Sequence, residues 1–236
     1  MNEYKQDKEM RRQFQRRIFL IFPFFLYFSG YAGELPKGFV YIDEIIPDIS
    51  TELRYAGKNN FVGKPIDGYE ADRCIISAEA AYALKKVQAE LNLFGLGLKI
   101  FDAYRPQRAV DHFIRWAADT MDTKMKEAYY PSVKKSKLFE KGYISRKSGH
   151  SRGSTADLTI IDLQSAEELD MGSPFDFFDE RSHTLYSRLS AQQRANRMLL
   201  KAVMTGNGFT SIRSEWWHFT LNNEPFKETY FDFVIH

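Results

Sequence analysis

The sequence of 236 residues has little cysteine, no repeat and no tract of low complexity. Its single cysteine, Cys74, excludes an intramolecular disulfide, and its position beside Ile75 and Ile76 indicates a small buried side chain rather than a nucleophile. No linker rich in proline, glycine or serine follows Gly33. Residues 34–236 are therefore predicted to form one domain.

The body of the chain also lacks a large net charge of either sign. The formal net charge is +2, but the first 17 residues hold six Lys/Arg against three Asp/Glu, so the remainder carries about −1. Nucleic-acid binding depends on basic side chains that neutralise phosphates. The near-neutral body argues against nucleic acid as a partner.

One apolar run, IFLIFPFFLYFSGYAG, follows the basic N-terminal stretch. It is short for a membrane span and Pro23 interrupts it, whereas its length suits the apolar region of a signal peptide. Gly30 and Ala32 are small residues of the kind found at cleavage sites. Residues 1–33 are predicted to be a signal peptide or membrane-targeting segment, which would make the protein periplasmic or secreted and give it membrane contact only there. The alternative is a cytoplasmic protein with a polar tail and a buried apolar segment.

Helix and strand signals alternate irregularly after that segment. Three helices are predicted to start near Ser77, Pro106 and Ser190, from capping or first-turn signals followed by apolar residues at helical spacing. Stretches rich in β-branched and aromatic residues predict strands at 98–104, 156–161 and 209–221. The pattern predicts an α+β single domain with a mainly antiparallel sheet flanked by helices, which cover one face and leave the other for a site.

The third helix shows the clearest start signal. Ser190 and Gln193 have the spacing of a capping box, and Gly206 and Gly208 are expected to stop the helix. The apolar residues of this helix follow the capping box, and they are Ala195, Met198, Leu199, Ala202 and Val203.

Two short stretches carry residues that suit metal binding. In SGHSRGSTADLT, residues 148–159, His150 and Asp157 flank Gly153, which lets the backbone turn so that the two side chains converge. Such nitrogen and oxygen ligands suit Zn²⁺, and a catalytic zinc site needs a third protein ligand. His218 in SEWWHF is the best candidate, because the other histidines fall in a helix, a polar loop and the last position: His112, His183 and His236. Spacing alone leaves this triad open, since a core histidine and a turn aspartate explain each residue separately.

Glu215 lies three residues before His218. A hydrolytic zinc site needs a carboxylate that accepts a proton from the attacking water and delivers it to the leaving amine. On a regular strand, residues 215 and 218 would point to opposite faces. A bulge or turn at Trp216–Trp217, or a strand that begins after Glu215, is therefore predicted.

Arg105 in DAYRP follows a predicted strand and precedes a helix-starting proline, so it is expected to project from an end of the sheet. Two interpretations remain at this point. One is a solvated arginine. The other is a fixed cation beside the reacting carbonyl, where negative charge develops during hydrolysis.

Together, SGHSRGSTADLT, EWWHF and DAYRP resemble the zinc D-alanyl-D-alanine dipeptidases of the vancomycin-resistance type. These enzymes belong to the same metallopeptidase clan as zinc D-Ala-D-Ala carboxypeptidases and the hedgehog signalling domain. RYAGKNNFVG, MGSPFDFFDERSH and EPFKETYFDF extend the resemblance over nearly everything from about residue 40 to the C-terminus. It implies a hedgehog/D-Ala-D-Ala-peptidase-like fold and one Zn²⁺ per chain.

The resemblance also implies roles for individual residues. It places the zinc ligands at His150, Asp157 and His218, the catalytic base at Glu215 and the transition-state arginine at Arg105.

Two further positions belong to the substrate pocket by the same resemblance. Asp176 corresponds to an aspartate associated with the free ammonium group of the substrate, and Ser148 to a serine near that pocket. Gly149 is a departure, because a second serine is expected there. The family's resistance enzymes act in the cytoplasm and lack an export segment, so residues 1–33 are a larger departure.

The activity implied is hydrolysis of the D-alanyl-D-alanine dipeptide to two D-alanines, with salvage of wall-derived dipeptide as the natural role of an exported enzyme. A D,D-carboxypeptidase or peptidoglycan endopeptidase of the same clan is the alternative, but it needs an open groove, and the segment 162–184 is expected to close one end. A catalytically inactive zinc- or ligand-binding module is the non-enzyme alternative, and the presence of Glu215, Arg105 and Asp176 argues against it.

Overall fold

The computed structural model describes residues 35–236, which share one hydrophobic core. The strands are β1 (Phe39–Tyr41), β2 (Ser50–Thr51), β3 (Ile75–Ser77), β4 (Leu96–Asp102), β5 (Thr155–Asp162), β6 (Phe209–Ser211) and β7 (His218–Leu221). The α-helices are α1 (Ile42–Ile45), α2 (Ala78–Asn92), α3 (Gln107–Ala118), α4 (Lys126–Tyr129) and α5 (Ala191–Gly206). The predicted targeting segment, residues 1–33, lies outside the described residues. Among the helices that are described, none has the length and apolar character needed to cross a membrane.

The main sheet has five strands in the order β2-β4-β5-β7-β6, and β1 pairs with β3 in a separate sheet of two strands. All pairings are antiparallel except the short parallel contact of β2 with β4. Antiparallel neighbours need no regular crossover helix, so the segments between them are free to be irregular. The predicted α+β class with a mainly antiparallel sheet is confirmed.

β5 is the central strand and is buried on both faces. Leu158 and Ile160 are fully buried as predicted, but so is Thr159, which points to the opposite face. The expectation that one face of the sheet would be left open for a site is therefore wrong. A cavity reaches the strand only near its start, at Asp157.

The first two predicted helices are confirmed. The hydroxyl of Ser77 accepts a hydrogen bond from the backbone N–H of Ala80, which caps α2. Its predicted apolar positions, among them Leu84 and Val87, are fully buried. Pro106 is the residue immediately before the first turn of α3, and this helix packs Phe113 into the core.

The predicted start of α5 is confirmed, but most of the apolar residues that indicated the helix lie outside its buried face. Ser190 and Gln193 form a reciprocal capping box. Met198 is 68% exposed, whereas Arg197 is 3% exposed. The guanidinium of Arg197 donates to three backbone carbonyls in the preceding connection, those of Met171, Arg181 and His183. Because these carbonyls need a donor, the helix turns a polar residue inward.

The predicted third strand is divided into β6 and β7. Residues 212–217 leave the sheet, with a turn at Trp216–Trp217, and β7 begins at His218. The predicted turn before His218 is confirmed. Both tryptophans are buried.

Residues 224–235, here called the C-terminal strap, lie after the sheet in the chain and run across two loops. The N–H of Phe231 donates to the carbonyl of Ser151, and the N–H of Ile235 donates to the carbonyl of Gly68. Glu224 forms a two-pronged ion pair with Arg152, with both N–O distances at 2.8 Å. The strap thereby supports the loop that contains His150.

Candidate metal centre and active site

Three neighbouring strands place polar residues in a single row. Asp102 on β4 is paired with Asp157 on β5, and Asp157 is paired with His218 on β7. The register of β4 against β5 shifts between Ile100 and Asp102, which is the irregularity that brings Asp102 opposite Asp157. Residues directly opposite one another on adjacent strands point to the same face of a sheet. The sheet register therefore brings two carboxylates and an imidazole together.

His150 reaches this row from a loop. It lies in a single 3₁₀ turn, Gly149–Arg152, which is capped by the hydroxyl of Ser148 accepting from the N–H of His150. Gly153 ends the turn with φ of 83°, and a Cβ there would lie 2.3 Å from the ring of Phe39. Only glycine fits this position, because both the backbone conformation and the space exclude a side chain.

The three predicted ligands converge. Nε2 of His150 lies 3.2 Å from Oδ2 of Asp157 and 3.3 Å from Nδ1 of His218, and that Nδ1 lies 3.0 Å from Oδ1 of Asp157. A tetrahedral zinc ion with bonds of about 2.0–2.1 Å holds neighbouring ligand atoms about 3.3–3.4 Å apart. The donor set and its spacing fit a metal ion of this kind, and the group could hold one.

The orientation of His150 also suits a metal ligand. Its Nδ1 donates to the carbonyl of Ala103 at 2.7 Å, which leaves the lone pair of Nε2 directed at the other two ligands. Burial lowers the pKa of His150, so the ring is held in the neutral form that metal binding requires.

The charged forms of the other two ligands, Asp157 and His218, stabilise each other. Burial alone would raise the pKa of Asp157, but His150 and His218 outweigh it and hold that pKa well below its usual range. Burial alone would lower the pKa of His218, but its hydrogen bond to Asp157 leaves the pKa raised. Asp157 is thus a permanent carboxylate between two imidazoles.

Glu215 lies beside the same group. Its Oε2 is 3.5 Å from Nδ1 of His218, because the turn at Trp216–Trp217 brings both side chains to one side. Burial, with a contribution from the charge of Asp157, raises the pKa of Glu215 to about 7 against the opposing effects of His218 and Arg105. A carboxylate with this pKa can both accept and return a proton near neutral pH.

Arg105 is fixed beside the row rather than solvated. Its Nε and Nη2 lie 2.9 Å and 2.8 Å from Oδ2 of Asp102, and Nη2 lies 3.4 Å from Asp157. The guanidinium also lies over the rings of Tyr55 and Phe113. Its side chain is 12% exposed, so part of it faces the cavity. The solvated-arginine interpretation is therefore wrong.

Asp102 was missed by the sequence analysis, although it stands three residues before Arg105 in DAYRP. Its Oδ1 accepts a hydrogen bond from the hydroxyl of Tyr69 at 2.6 Å, and its Oδ2 lies 3.5 Å from Nδ1 of His150. It thus orients the arginine and lies close to one of the ligands.

Asp176 lies in the same cavity with its carboxylate buried. Its Oδ2 accepts a hydrogen bond of 2.7 Å from the hydroxyl of Tyr55. The backbone is left-handed there, with φ of 57°, which is uncommon for a residue other than glycine and is favoured most in Asn and Asp. Burial, followed by the charge of Asp157, raises the pKa of Asp176 well above its usual value. A ligand with a positive charge would stabilise the ionised form of Asp176 and so oppose the effect of burial.

Ser148 lines the cavity, and the departure at Gly149 has a local cause. A Cβ at Gly149 would lie 2.8 Å from the hydroxyl oxygen of Thr155, which is closer than real Cβ contacts allow. Thr155 in turn shares a hydrogen bond with the hydroxyl of Thr220. With threonine at position 155, this chain has no room for a second serine.

The three ligands share a cavity of about 180 Å³ with four of the residues described above, which are Glu215, Arg105, Asp176 and Ser148. This is smaller than the roughly 300–1,000 Å³ typical of pockets for drug-sized ligands. Its wall includes groups that the sequence analysis did not single out, since no periodic pattern marks their segments: Tyr55, Phe61, Tyr143 and Phe178. The arrangement can hold a metal ion, move a proton and enclose a small ligand.

Comparisons with known proteins agree with this arrangement. The sequence model of the D-Ala-D-Ala dipeptidase family, peptidase family M15, matches residues 36–236. A D-alanyl-D-alanine dipeptidase of Enterococcus faecalis is 44% identical over 201 residues, which are 85% of this chain and 100% of that protein. Similar proteins of the same name are found in Enterococcus faecium, at 42% identity over 84% of this chain and 98% of that protein, and in Escherichia coli, at 39% identity over 75% of this chain and 81% of that protein.

Proposed function

Because the chain belongs to the D-Ala-D-Ala dipeptidase family, we propose that it is a zinc-dependent hydrolase that cleaves D-alanyl-D-alanine into two D-alanines. The observation that carries this proposal is the meeting of His150, Asp157 and His218 beside Glu215 and Arg105 in one small cavity.

His150, Asp157 and His218 would hold one Zn²⁺ per chain, which supplies Lewis acidity at the reacting carbonyl. Glu215 takes the proton from the attacking water and passes it to the nitrogen of the departing D-alanine. The raised pKa of this carboxyl, about 7, suits both transfers.

Arg105 stabilises the negative charge that develops on the carbonyl oxygen during attack. Its guanidinium is held in advance by Asp102 and is partly screened from water, so it needs no reorganisation at the moment of reaction.

Asp176 receives the free ammonium group of the substrate. It is buried in the wall of the cavity, and Tyr55 orients its carboxylate. A desolvated carboxylate rewards a charged amine and rejects a blocked one, because the blocked form leaves the carboxylate without a cationic partner. The partner expected for this chain is therefore a small D,D-dipeptide.

The size of the cavity supports a dipeptide over a peptidoglycan stem. A D,D-carboxypeptidase or endopeptidase needs an open groove for a long chain, and about 180 Å³ leaves little room for one. An inactive binding module has no need of Glu215 and Arg105 in the positions described.

The decisive experiment is a hydrolysis assay with D-Ala-D-Ala, L-Ala-L-Ala and N-acetyl-D-Ala-D-Ala, each with and without a chelator. We expect release of D-alanine from the free D,D-dipeptide alone, with loss of activity in the chelator and recovery on addition of zinc. Equal turnover of the acetylated substrate would refute a dipeptidase in favour of a carboxypeptidase. No turnover of any substrate by zinc-loaded protein would refute the hydrolase.

We also propose that residues 1–33 direct the protein to the periplasm or outside the cell, where it salvages dipeptide released from the wall. The support is the basic stretch followed by an interrupted apolar run. Cell fractionation with N-terminal sequencing of the purified protein tests this. Intact protein found in the cytoplasm would refute it.

A further inference from the structure

A turn that the sequence analysis did not assign to the site covers one end of the cavity. Residues 137–144 fold back on themselves, with the N–H groups of Tyr143 and Ile144 both directed at the carbonyl of Leu138. Leu138 is fully buried and anchors the turn to the core. Gly142, Tyr143 and Ile144 then line the cavity that contains Glu215 and Asp176.

Tyr143 joins this turn to the segment that contains Asp176. Its ring stacks on the ring of Phe178, with the centroids 5.2 Å apart and the planes at 23°. Phe178 is buried against Phe61, and its N–H donates to the carbonyl of Tyr129, so it is a fixed support. Tyr143 is only half-buried and is therefore the outer member of the stack.

Both rings of the stack line the cavity in which the substrate amine is expected to meet Asp176. Asp176 and Phe178 are two residues apart in one connection and both line the cavity, so Tyr143 packs against the segment that carries the carboxylate. A free ammonium group beside Asp176 needs no space beyond it. A residue or acyl group attached to that nitrogen needs further space in a cavity of about 180 Å³, and Tyr143 forms part of its wall.

We propose that Tyr143, supported by Phe178, is the specificity-determining residue that excludes substrates extended at their amino end. This inference rests on the proposed function, which it refines by separating two filters. Asp176 selects for the charge of the amine, whereas Tyr143 limits the length of what precedes the cleaved bond. The second filter depends on the ring and not on its hydroxyl.

The test compares three peptides that keep a free amine: D-Ala-D-Ala, Gly-D-Ala-D-Ala and D-Ala-D-Ala-Gly. Cleavage of the D-Ala–D-Ala bond is followed for each, and kcat/KM is expressed relative to the dipeptide. In Tyr143→Ala we expect the relative kcat/KM for Gly-D-Ala-D-Ala to rise about tenfold or more, in the range that pocket contacts discriminate. The relative value for D-Ala-D-Ala-Gly should stay the same, because that peptide extends at the other end.

Two variants serve as controls. Tyr143→Phe keeps the ring and should keep the exclusion. Phe139→Ala removes an aromatic ring from the same turn that does not line the cavity, and it should also keep the exclusion. Metal content and thermal unfolding are measured for every variant, and Tyr143→Leu replaces Tyr143→Ala if the latter does not fold.

Several results would overturn the inference. The first is a Tyr143→Ala enzyme that still cleaves the dipeptide yet rejects Gly-D-Ala-D-Ala as strictly as the unaltered protein. A second is equal relaxation toward both extended peptides, which indicates general loosening. A third is relaxation in Tyr143→Phe. Failure of the unaltered, zinc-loaded protein to cleave D-Ala-D-Ala would instead refute the proposed function itself.

Discussion

The two sides of the cavity are built in different ways. The metal side takes Asp157 and His218 from adjacent strands of the main sheet, and their positions follow from the strand register. The opposite side takes Asp176 and Tyr143 from long connections that belong to no strand or α-helix of the described chain. Backbone pairing holds the first side, whereas side-chain contacts such as Tyr55–Asp176 and Tyr143–Phe178 hold the second.

Because of this difference, metal binding depends on one side of the cavity and the selection of the substrate depends on the other. Metal coordination tolerates displacements of only about 0.2 Å, so its ligands benefit from the rigid sheet. Selection of a substrate depends on the shape of a wall, which irregular segments can change without disturbing the ligands. Variants on the metal side should therefore alter metal content or kcat, and variants on the opposite side should alter which substrate is accepted.

The largest effect is expected for a ligand on the metal side. Asp157→Ala removes the carboxylate between two imidazoles, so both bound zinc and dipeptide turnover should fall below detection. Metal analysis together with the hydrolysis assay checks this. Asp111→Ala, on an exposed face of α3, is the matched control. Full zinc content in Asp157→Ala would contradict the assignment of the ligands.

Glu215→Gln should separate metal binding from proton transfer. We expect kcat to fall about 10²–10⁴-fold, which is the usual contribution of a positioned general base, while zinc content stays at that of the unaltered protein. Steady-state kinetics and metal analysis measure the two quantities, with Glu180→Gln as the control on an exposed side chain. Unchanged kcat would remove Glu215 from the mechanism.

Asp176→Asn tests the opposite side of the cavity. The neutral amide loses the attraction to the ammonium group, so kcat/KM for D-Ala-D-Ala should fall about 100-fold, mainly through KM, with zinc retained. Discrimination against N-acetyl-D-Ala-D-Ala should weaken at the same time. Asp179→Asn, whose carboxylate accepts from Ser132 and Arg181, is the control. Loss of zinc in Asp176→Asn would contradict the assignment of Asp176 to substrate selection rather than to metal binding.

The smallest effect is expected for a change in the C-terminal strap, which contacts the loop that contains His150. Glu224→Gln weakens the ion pair between the C-terminal strap and Arg152, two residues after His150. We expect zinc affinity, measured by competition with a chelator, to fall about tenfold, at the lower end of the effect of outer-shell changes. Asp232→Asn on the same strap, which pairs with the exposed Arg108, should leave zinc affinity unchanged. Equal affinity in both variants would mean that the strap does not position the loop.

The metal side was predictable because its signals are local. The family motifs name His150, Asp157 and His218, and the parity of residues 215 and 218 on a strand already required the turn that the structure contains. The contribution of Asp102 was harder to foresee, since it depends on the register of β4 against β5 and on the irregularity after Ile100.

Most residues on the opposite side of the cavity could not be predicted from the sequence. Asp176 came only from the family resemblance, and Tyr143 lies 35 residues before its stacking partner Phe178, with no periodic pattern to relate them. The buried face of α5 could not be read from the sequence for a similar reason. Arg197 points inward because its guanidinium donates to carbonyls of a distant segment. The pattern of apolar residues in the helix contains no information about those carbonyls.

The C-terminal strap also bears on how the enzyme matures during synthesis. The loop with His150 contacts Phe231 and Glu224, which leave the ribosome after every strand and helix has been made. The site therefore lacks both His218 and the support of the His150 loop until residues 218–231 have folded onto the earlier strands.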